Sequence, residues 1–316
     1  MAAKQVGWPI SCSLRADIAK AIANLTETAH LRPQTPLGPF FMTTRKILIT
    51  GCSSGIGYAA AYGLRERGWH VYAACRQELD CARMRDEGFD SPRIDYTDAD
   101  SIITALADVL EDTGGTLDAV FNNGAHATPG AVEDLPTEAL REIFEANFFG
   151  WHTLTNAIIP IMRAQGHGRI VQCSSILGHV AMPWRGAYTA TKFALEGLTD
   201  TLRLEMQGTG VHPILIEPGP ITSKIRANSI PHFERWIDWE NSARADQYET
   251  VLAQRLYGEN AKDKYELPAE AVVKKLIHAV ESPRPRARYY VTTPAHLGGF
   301  MRRILPTRML DRVLSR

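Results

Sequence analysis

The chain reads as an α/β protein built on a doubly wound, mostly parallel sheet with helices on both faces. Three observations carry this. Short apolar runs rich in β-branched residues alternate with helix-length segments from Lys46 to about Val291. The first run, Lys46–Thr50 (KILIT), shows no polar alternation, as expected of a strand buried on both faces. It leads directly into a glycine loop, Thr50-Gly51-Cys52-Ser53-Ser54-Gly55-Ile56-Gly57, followed by a helical pattern. Strand–helix alternation of this kind gives parallel pairing through right-handed crossovers.

The elements follow in order. Residues 1–43 form an N-terminal extension. Ser13 to His30 has weak helical periodicity, and Pro33, Pro36, Gly38 and Pro39 then break regular structure. A poorly ordered extension is favoured over a docked helical arm, because no long apolar face appears. A catalytic unit spans 44–290. Within it, a helix over Tyr58–Arg67 ends at Gly68, and His70–Ala74 (HVYAA) is the second strand. Further strands are expected at Ser91–Ile94, Leu117–Asn122, Arg169–Cys173, Pro213–Glu217 and Ala287–Val291. Helices are expected over Ser101–Glu111, Thr137–Met162 and Tyr188–Met206. The stretch 222–266 carries Phe233, Trp236, Trp239, Tyr248 and Tyr257. It reads equally as a helical lid over a bulky, apolar substrate or as aromatic residues packing a helical hairpin. Residues 291–316 are a basic amphipathic tail. Packing on the protein's own surface or on a partner subunit is favoured there over weak contact with a membrane surface.

Composition bounds the function. The chain has 316 residues, 45% hydrophobic and 22% charged, which suits a globular protein. The 35 basic and 35 acidic residues cancel, which argues against a nucleic-acid coat. No apolar stretch reaches the length of a membrane span. The five cysteines include no C-x-x-C pair, and the ten histidines form no H-E-x-x-H. Neither a disulfide framework nor a metal site is expected, and a reducing cytoplasm is the expected location.

The chemistry concentrates in a few motifs. Glycines at 51, 55 and 57 let the backbone come close to a ligand, and the following helix N-terminus can hold a pyrophosphate. The same residues match G-x-S-x-G, the hydrolase nucleophile elbow centred on Ser53. Its place after the first strand favours the dinucleotide loop, since an elbow normally follows several strands. The second strand ends Ala74-Cys75-Arg76, with Arg76 where an acidic residue would grip the NAD ribose. A guanidinium there suits the 2′-phosphate of NADP. Tyr188 and Lys192 share one helix face, and a nearby ammonium lowers a phenol pKa. Ser174-Ser175 ends a strand at the sheet edge where ligands bind. Asn122-Asn123-Gly124-Ala125 follows another strand, and Asn147 lies inside a helix, with Gly150 placed to ease a distortion.

Together these motifs resemble the short-chain dehydrogenase/reductase family, across roughly residues 44 to 285. Within it, Leu48–Gly57 (LITGCSSGIG), the strand ending VYAACR and Asn147-Phe148-Phe149-Gly150 are similar to the retinol and 17β-hydroxysteroid dehydrogenase branch and its bacterial NADP-dependent aldehyde reductases. The resemblance implies a Rossmann fold and an NADP(H)-dependent oxidoreductase acting on a small apolar aldehyde or ketone, or on the corresponding alcohol. It makes Tyr188 the acid/base, with Lys192 lowering its pKa and binding the nicotinamide ribose. Ser175 orients the substrate oxygen, and Asn147 holds a relay water. Gly51, Ser53, Ser54, Gly55, Ile56, Gly57, Asn123, Gly124, Pro218, Gly219 and Thr222 would contact the cofactor, with Arg76 at the 2′-phosphate and Asp95 near the adenine. The family also implies dimers or tetramers through the helix bearing Tyr188, and a homodimer is one such expectation here. One departure shows: the usual N-N-A-G reads N-N-G-A here. Two other readings stand beside this one, an α/β-hydrolase using Ser53 and a catalytically silent nucleotide-binding regulator.

Overall fold

Six parallel strands form one sheet in the computed structural model, which describes residues 44–258 and 263–315. The expected extension, 1–43, lies outside the described residues. The strands are β1 (Lys46–Thr50), β2 (His70–Ala74), β3 (Ala119–Asn122), β4 (Gly168–Cys173), β5 (Val211–Glu217) and β6 (Arg288–Tyr290), in the order β2-β1-β3-β4-β5-β6. The chain winds outward from β1 to β2, then crosses back to place β3 on the other side of β1. The strand order therefore reverses between β1 and β3, and ligands of open α/β sheets bind at such a switch point. The strands are apolar along their whole length because helices cover both faces: Ile47, Leu48, Ile49, Val120, Phe121, Ile170, Val171 and Ile216 are all fully buried.

On one face α1 (Gly55–Arg65) packs against a helix over Glu270–Glu281. Contact is close enough that a Cβ on Gly63 would lie 2.5 Å from Val273. Helices Ala99–Thr113 and Gly150–Gln165 pack together elsewhere on the sheet. Their ends follow local rules: Asp98 caps the first by accepting from the Ser101 N–H, and left-handed Gly114 and Gly166 stop the two helices.

Two expected elements differ. Ser91–Ile94 is not a strand. Only single bridges form, from Asp90 to Tyr72 and from Arg93 to Cys75. Pro92 has no N–H to give a ladder, which explains why apolar character there did not become a strand. The expected helix over 137–162 is continuous but not uniform. It runs α-helical from Thr137 to Phe144, π-helical from Glu145 to Phe149, and α-helical again from Gly150 to Gln165. Asn147 sits in the π turn. A Cβ on Gly150 would lie 2.3 Å from the Tyr96 carbonyl, so glycine is required where this turn meets the sheet edge.

Within 222–266, helix Ile225–Trp236 and shorter helical pieces up to Tyr257 enclose a second small core of Phe233, Ile237, Tyr248, Leu252 and Leu256. Trp184, Trp236 and Trp239 pack against it. The Tyr248 hydroxyl donates to Asp134 and accepts from the Ala131 N–H, both at 2.8 Å. Most of the aromatic residues thus hold this segment to the body.

Candidate active site

Backbone conformation shapes the first loop. Gly51 (φ +70°) and Gly55 (φ +59°) adopt left-handed conformations. Gly57 is needed for space: a Cβ there would lie 2.3 Å from the Gly51 carbonyl and 2.8 Å from Asn123 Nδ2. Ser54 precedes α1 in extended conformation and caps none of its N–H groups with its side chain. Glycines that admit a ligand to the backbone, followed by an uncapped helix start, fit a dinucleotide pyrophosphate.

The loop after β3 is tied to this one. The Thr50 hydroxyl accepts from the Asn123 N–H at 2.9 Å, and Asn123 Nδ2 donates to the Thr50 carbonyl at 3.1 Å. Beneath it the Tyr96 hydroxyl bridges Thr50 Oγ1 (2.7 Å) and Asn122 Oδ1 (2.6 Å). Asn122 Nδ2 reaches Gln172 and Thr155. The swapped N-N-G-A is accommodated here. Gly124 has no left-handed φ, and a Cβ on it would meet Gly51 at 3.4 Å, ordinary contact.

Ser175 follows β4, and its hydroxyl accepts from the Leu177 N–H at 3.1 Å. Helix Gly186–Glu205 presents Tyr188 and Lys192 from its first turns. Lys192 is buried. Its ammonium donates to the Cys173 carbonyl at 2.8 Å and lies 4.2 Å from the centre of the Trp151 ring. Trp151 is itself fixed by an Nε1–H bond to the Gly124 carbonyl at 2.9 Å. Burial lowers the Lys192 pKa to about 8. Tyr188 does not follow the simple expectation. Burial raises its pKa, the Cys173 thiol adds to this, and the Ser175 hydroxyl works the other way. The ammonium sits 5.4 Å from the phenol ring and is spent on a carbonyl, so desolvation wins. The phenol is therefore held protonated.

The Asn147 amide is fully engaged with one residue. Its Nδ2 donates to the His126 carbonyl at 2.8 Å and its Oδ1 accepts from the His126 N–H at 3.1 Å. The side chain pins the π turn, and a relay water would have to use a backbone carbonyl that such a turn leaves without an α-type partner. Among the described residues no histidine or carboxylate bonds the Ser53 hydroxyl, which a nucleophile elbow requires.

A family profile described as short chain dehydrogenase matches residues 45–232. The chain belongs to the short-chain dehydrogenase/reductase family. It is 37% identical over 271 residues to the uncharacterized oxidoreductase YbbO of Escherichia coli, covering 86% of this chain and 94% of that one. An NADPH-dependent 3-dehydrocapnine reductase of Ornithobacterium rhinotracheale is 30% identical over 277 residues, covering 85% and 95%. Mouse retinol dehydrogenase 16 is 31% identical over 278 residues, covering 85% and 87%. A short-chain dehydrogenase/reductase from Burkholderia phymatum, solved in complex with NAD, shares the fold at a TM-score of 0.69 and 24% identity, covering 87% and 96%.

The other positions expected in the site follow the carboxyl ends of the strands. Arg76 is exposed just beyond β2. Asp95 uses its carboxylate locally, accepting from the Thr97 N–H and hydroxyl at 3.0 and 2.8 Å. The Pro218 carbonyl accepts from the Ile176 N–H at 2.7 Å, and a Cβ on Gly219 would strike Thr292. The Thr222 hydroxyl donates to Glu266 at 2.6 Å.

Sequence reading missed a partly buried charge cluster around Glu196 and Glu217. Arg288 reaches Glu196, Glu217 (2.6 Å) and Asp200 (2.5 Å), while His179 lies 3.7 Å from Glu217. Glu217 is fully buried. Burial, reinforced by the Glu196 carboxylate, pushes its pKa up to about 8 against the opposing pull of Arg288. The folded protein therefore holds a proton that the unfolded chain releases near pH 4.3. Stability from this group is complete below about 4.3 and is lost as pH rises to about 8. Glu217→Gln should flatten that decline, measured as melting temperature across the interval; an unchanged slope would contradict the assignment.

Proposed function

We propose that this enzyme is an NADP(H)-dependent reductase of apolar aldehydes or ketones, also able to run in reverse. The observation that carries the reading is a half-buried Tyr188, its phenol held protonated, with the Ser175 hydroxyl beside it, at the sheet edge that also holds the glycine cradle. NADP(H), when bound, supplies or takes up the hydride. Tyr188 donates its proton to the carbonyl oxygen as that oxygen gains charge, and Ser175 donates a hydrogen bond to it. Lys192, fixed by Cys173 and Trp151, binds the ribose side of the site and assists reprotonation. Asn147 keeps the π turn in place.

The 2′-phosphate preference rests on Arg76 and on the absence of an acidic residue at the end of β2. An NADPH-dependent relative agrees with it. Substrate class rests on the aromatic residues of segment 222–266, read as a lid, with Met182, Pro183 and Trp184 before the catalytic helix. Aldehydes come first, then retinoid-like compounds and steroids. The catalytic unit is 44–290, with 291–316 as an appended tail. Phe193, Leu198 and Leu204 face outward from the helix bearing Tyr188, which supports a homodimer through that helix.

The test is NADPH consumption with medium- and long-chain aldehydes, retinaldehyde and ketosteroids, run beside NADH. NADPH binding without any turnover would favour the silent regulator; no binding would overturn the cofactor assignment. Arg76→Ala should raise KM for NADPH by roughly 10- to 100-fold, the loss of one or two charge-assisted bonds, with KM for NADH nearly unchanged. Equal loss for both cofactors would move Arg76 out of the phosphate site.

A further inference from the structure

The last two helices present their large apolar residues to solvent. Helix Thr293–Ile304 docks through small residues: Ala295, Gly298 and Gly299 are buried. A Cβ on Gly298 would touch Ile176 and Val180 at 3.3–3.5 Å, and one on Gly299 would come within 2.8 Å of Tyr290. Leu297, Phe300 and Ile304 recur at helical spacing and stand 51%, 60% and 57% exposed. The following helix, Thr307–Leu314, anchors through Leu310 and exposes Met309 and Val313 by 52% and 48%. Arg302, Arg303, Arg308 and Arg312 flank these stripes, are exposed, and form no ion pair among the described residues. Asp311 is the single acid of the two helices.

Large apolar side chains grouped on a surface and rimmed by polar ones mark a contact. Charge decides which kind. Across a two-fold interface between copies the same arginines would approach one another. An anionic lipid surface offers negative headgroups for the arginines and an apolar layer for the stripe. No helix among the described residues is long and apolar enough to cross a membrane, so contact would lie in the interface plane.

We propose that helices Thr293–Ile304 and Thr307–Leu314 dock the protein on an anionic bilayer surface. The docking goes beyond the catalytic reading and does not depend on it. It meets the site where helix Thr293–Ile304 packs on Ile176–Gly178, the turn that follows Ser175, and where its Ala295 joins the cluster that Tyr188 packs against.

Co-sedimentation of the full chain with phosphatidylcholine vesicles, with and without phosphatidylglycerol, tests this. Binding is expected only to the anionic vesicles and should weaken with salt. Arg302→Gln with Arg303→Gln should weaken it roughly 30-fold, about fivefold per charge. Phe300→Ser with Ile304→Ser should also abolish it. Both side chains are exposed, so melting temperature and NADPH binding should not move and loss of fold is separable. Absent binding, equal binding to both vesicles, or variants that bind like the parent would overturn the proposal. So would a concentration-dependent dimer in light scattering that Phe300→Ser with Ile304→Ser dissolves, if vesicle binding is absent.

Discussion

Tyr188→Phe is expected to lower kcat for carbonyl reduction by about 10²- to 10⁴-fold, the range for loss of a positioned general acid. Cofactor affinity should stay within about a factor of two, because the substitution removes only a hydroxyl and binding does not need its proton. The ring is retained and still packs against the cluster of Ile176, Leu177, Val180 and Ala295, so melting temperature should hardly change. Burial raises the pKa of this phenol, so the acidic form is the resting one and proton donation is its ready role. Steady-state kinetics beside a cofactor fluorescence titration would separate the two effects. A variant that keeps its activity would remove Tyr188 from the chemistry. One that loses cofactor binding equally would make it a structural residue.

Gly57→Ala should have the largest effect on the cradle. The new methyl would meet the Gly51 carbonyl at 2.3 Å and Asn123 Nδ2 at 2.8 Å. The first contact is backbone and cannot swing aside. The loop must move, at a cost of about 1–3 kcal/mol in stability. Because the same backbone would hold the pyrophosphate, cofactor affinity should fall at least about tenfold, or 1.4 kcal/mol. Gly68→Ala is the control. Gly68 is left-handed at φ +80°, but a Cβ there meets nothing within 4 Å. That substitution should cost only its backbone strain, about 1–2 kcal/mol, and leave cofactor binding alone. Thermal melts and cofactor titrations of the pair would distinguish crowding in the cradle from glycine strain in general. Equal cofactor loss in both would contradict the cradle reading.

Much of the fold was legible because its determinants are local. Short apolar runs such as KILIT and HVYAA became β1 and β2 at the expected residues. The Gly51–Gly57 loop joined the first strand to the first helix as read, and Tyr188 and Lys192 came from one helix start. Gly150 did accompany a distortion, which the structure resolves as a π turn at Asn147. The reading failed at Ser91–Ile94, where a proline outweighed apolar character.

The order of residues by itself determined the sheet, the glycine cradle and the spacing of the tyrosine and lysine, because each depends on neighbours within a few positions. Only the tertiary structure decided where long side chains end. It sent the Lys192 ammonium to Cys173 and the Trp151 face. It joined Glu196 to Arg288 across a separation of 92 residues and closed the Asn147 amide on His126 across 21. It also turned the small face of the Thr293–Ile304 helix inward and its large apolar residues out. Periodicity shows that a helix has an apolar side. Which side is buried depends on the shape of the surface it meets, and here Tyr290, Ile176 and Val180 leave room only for glycine and alanine.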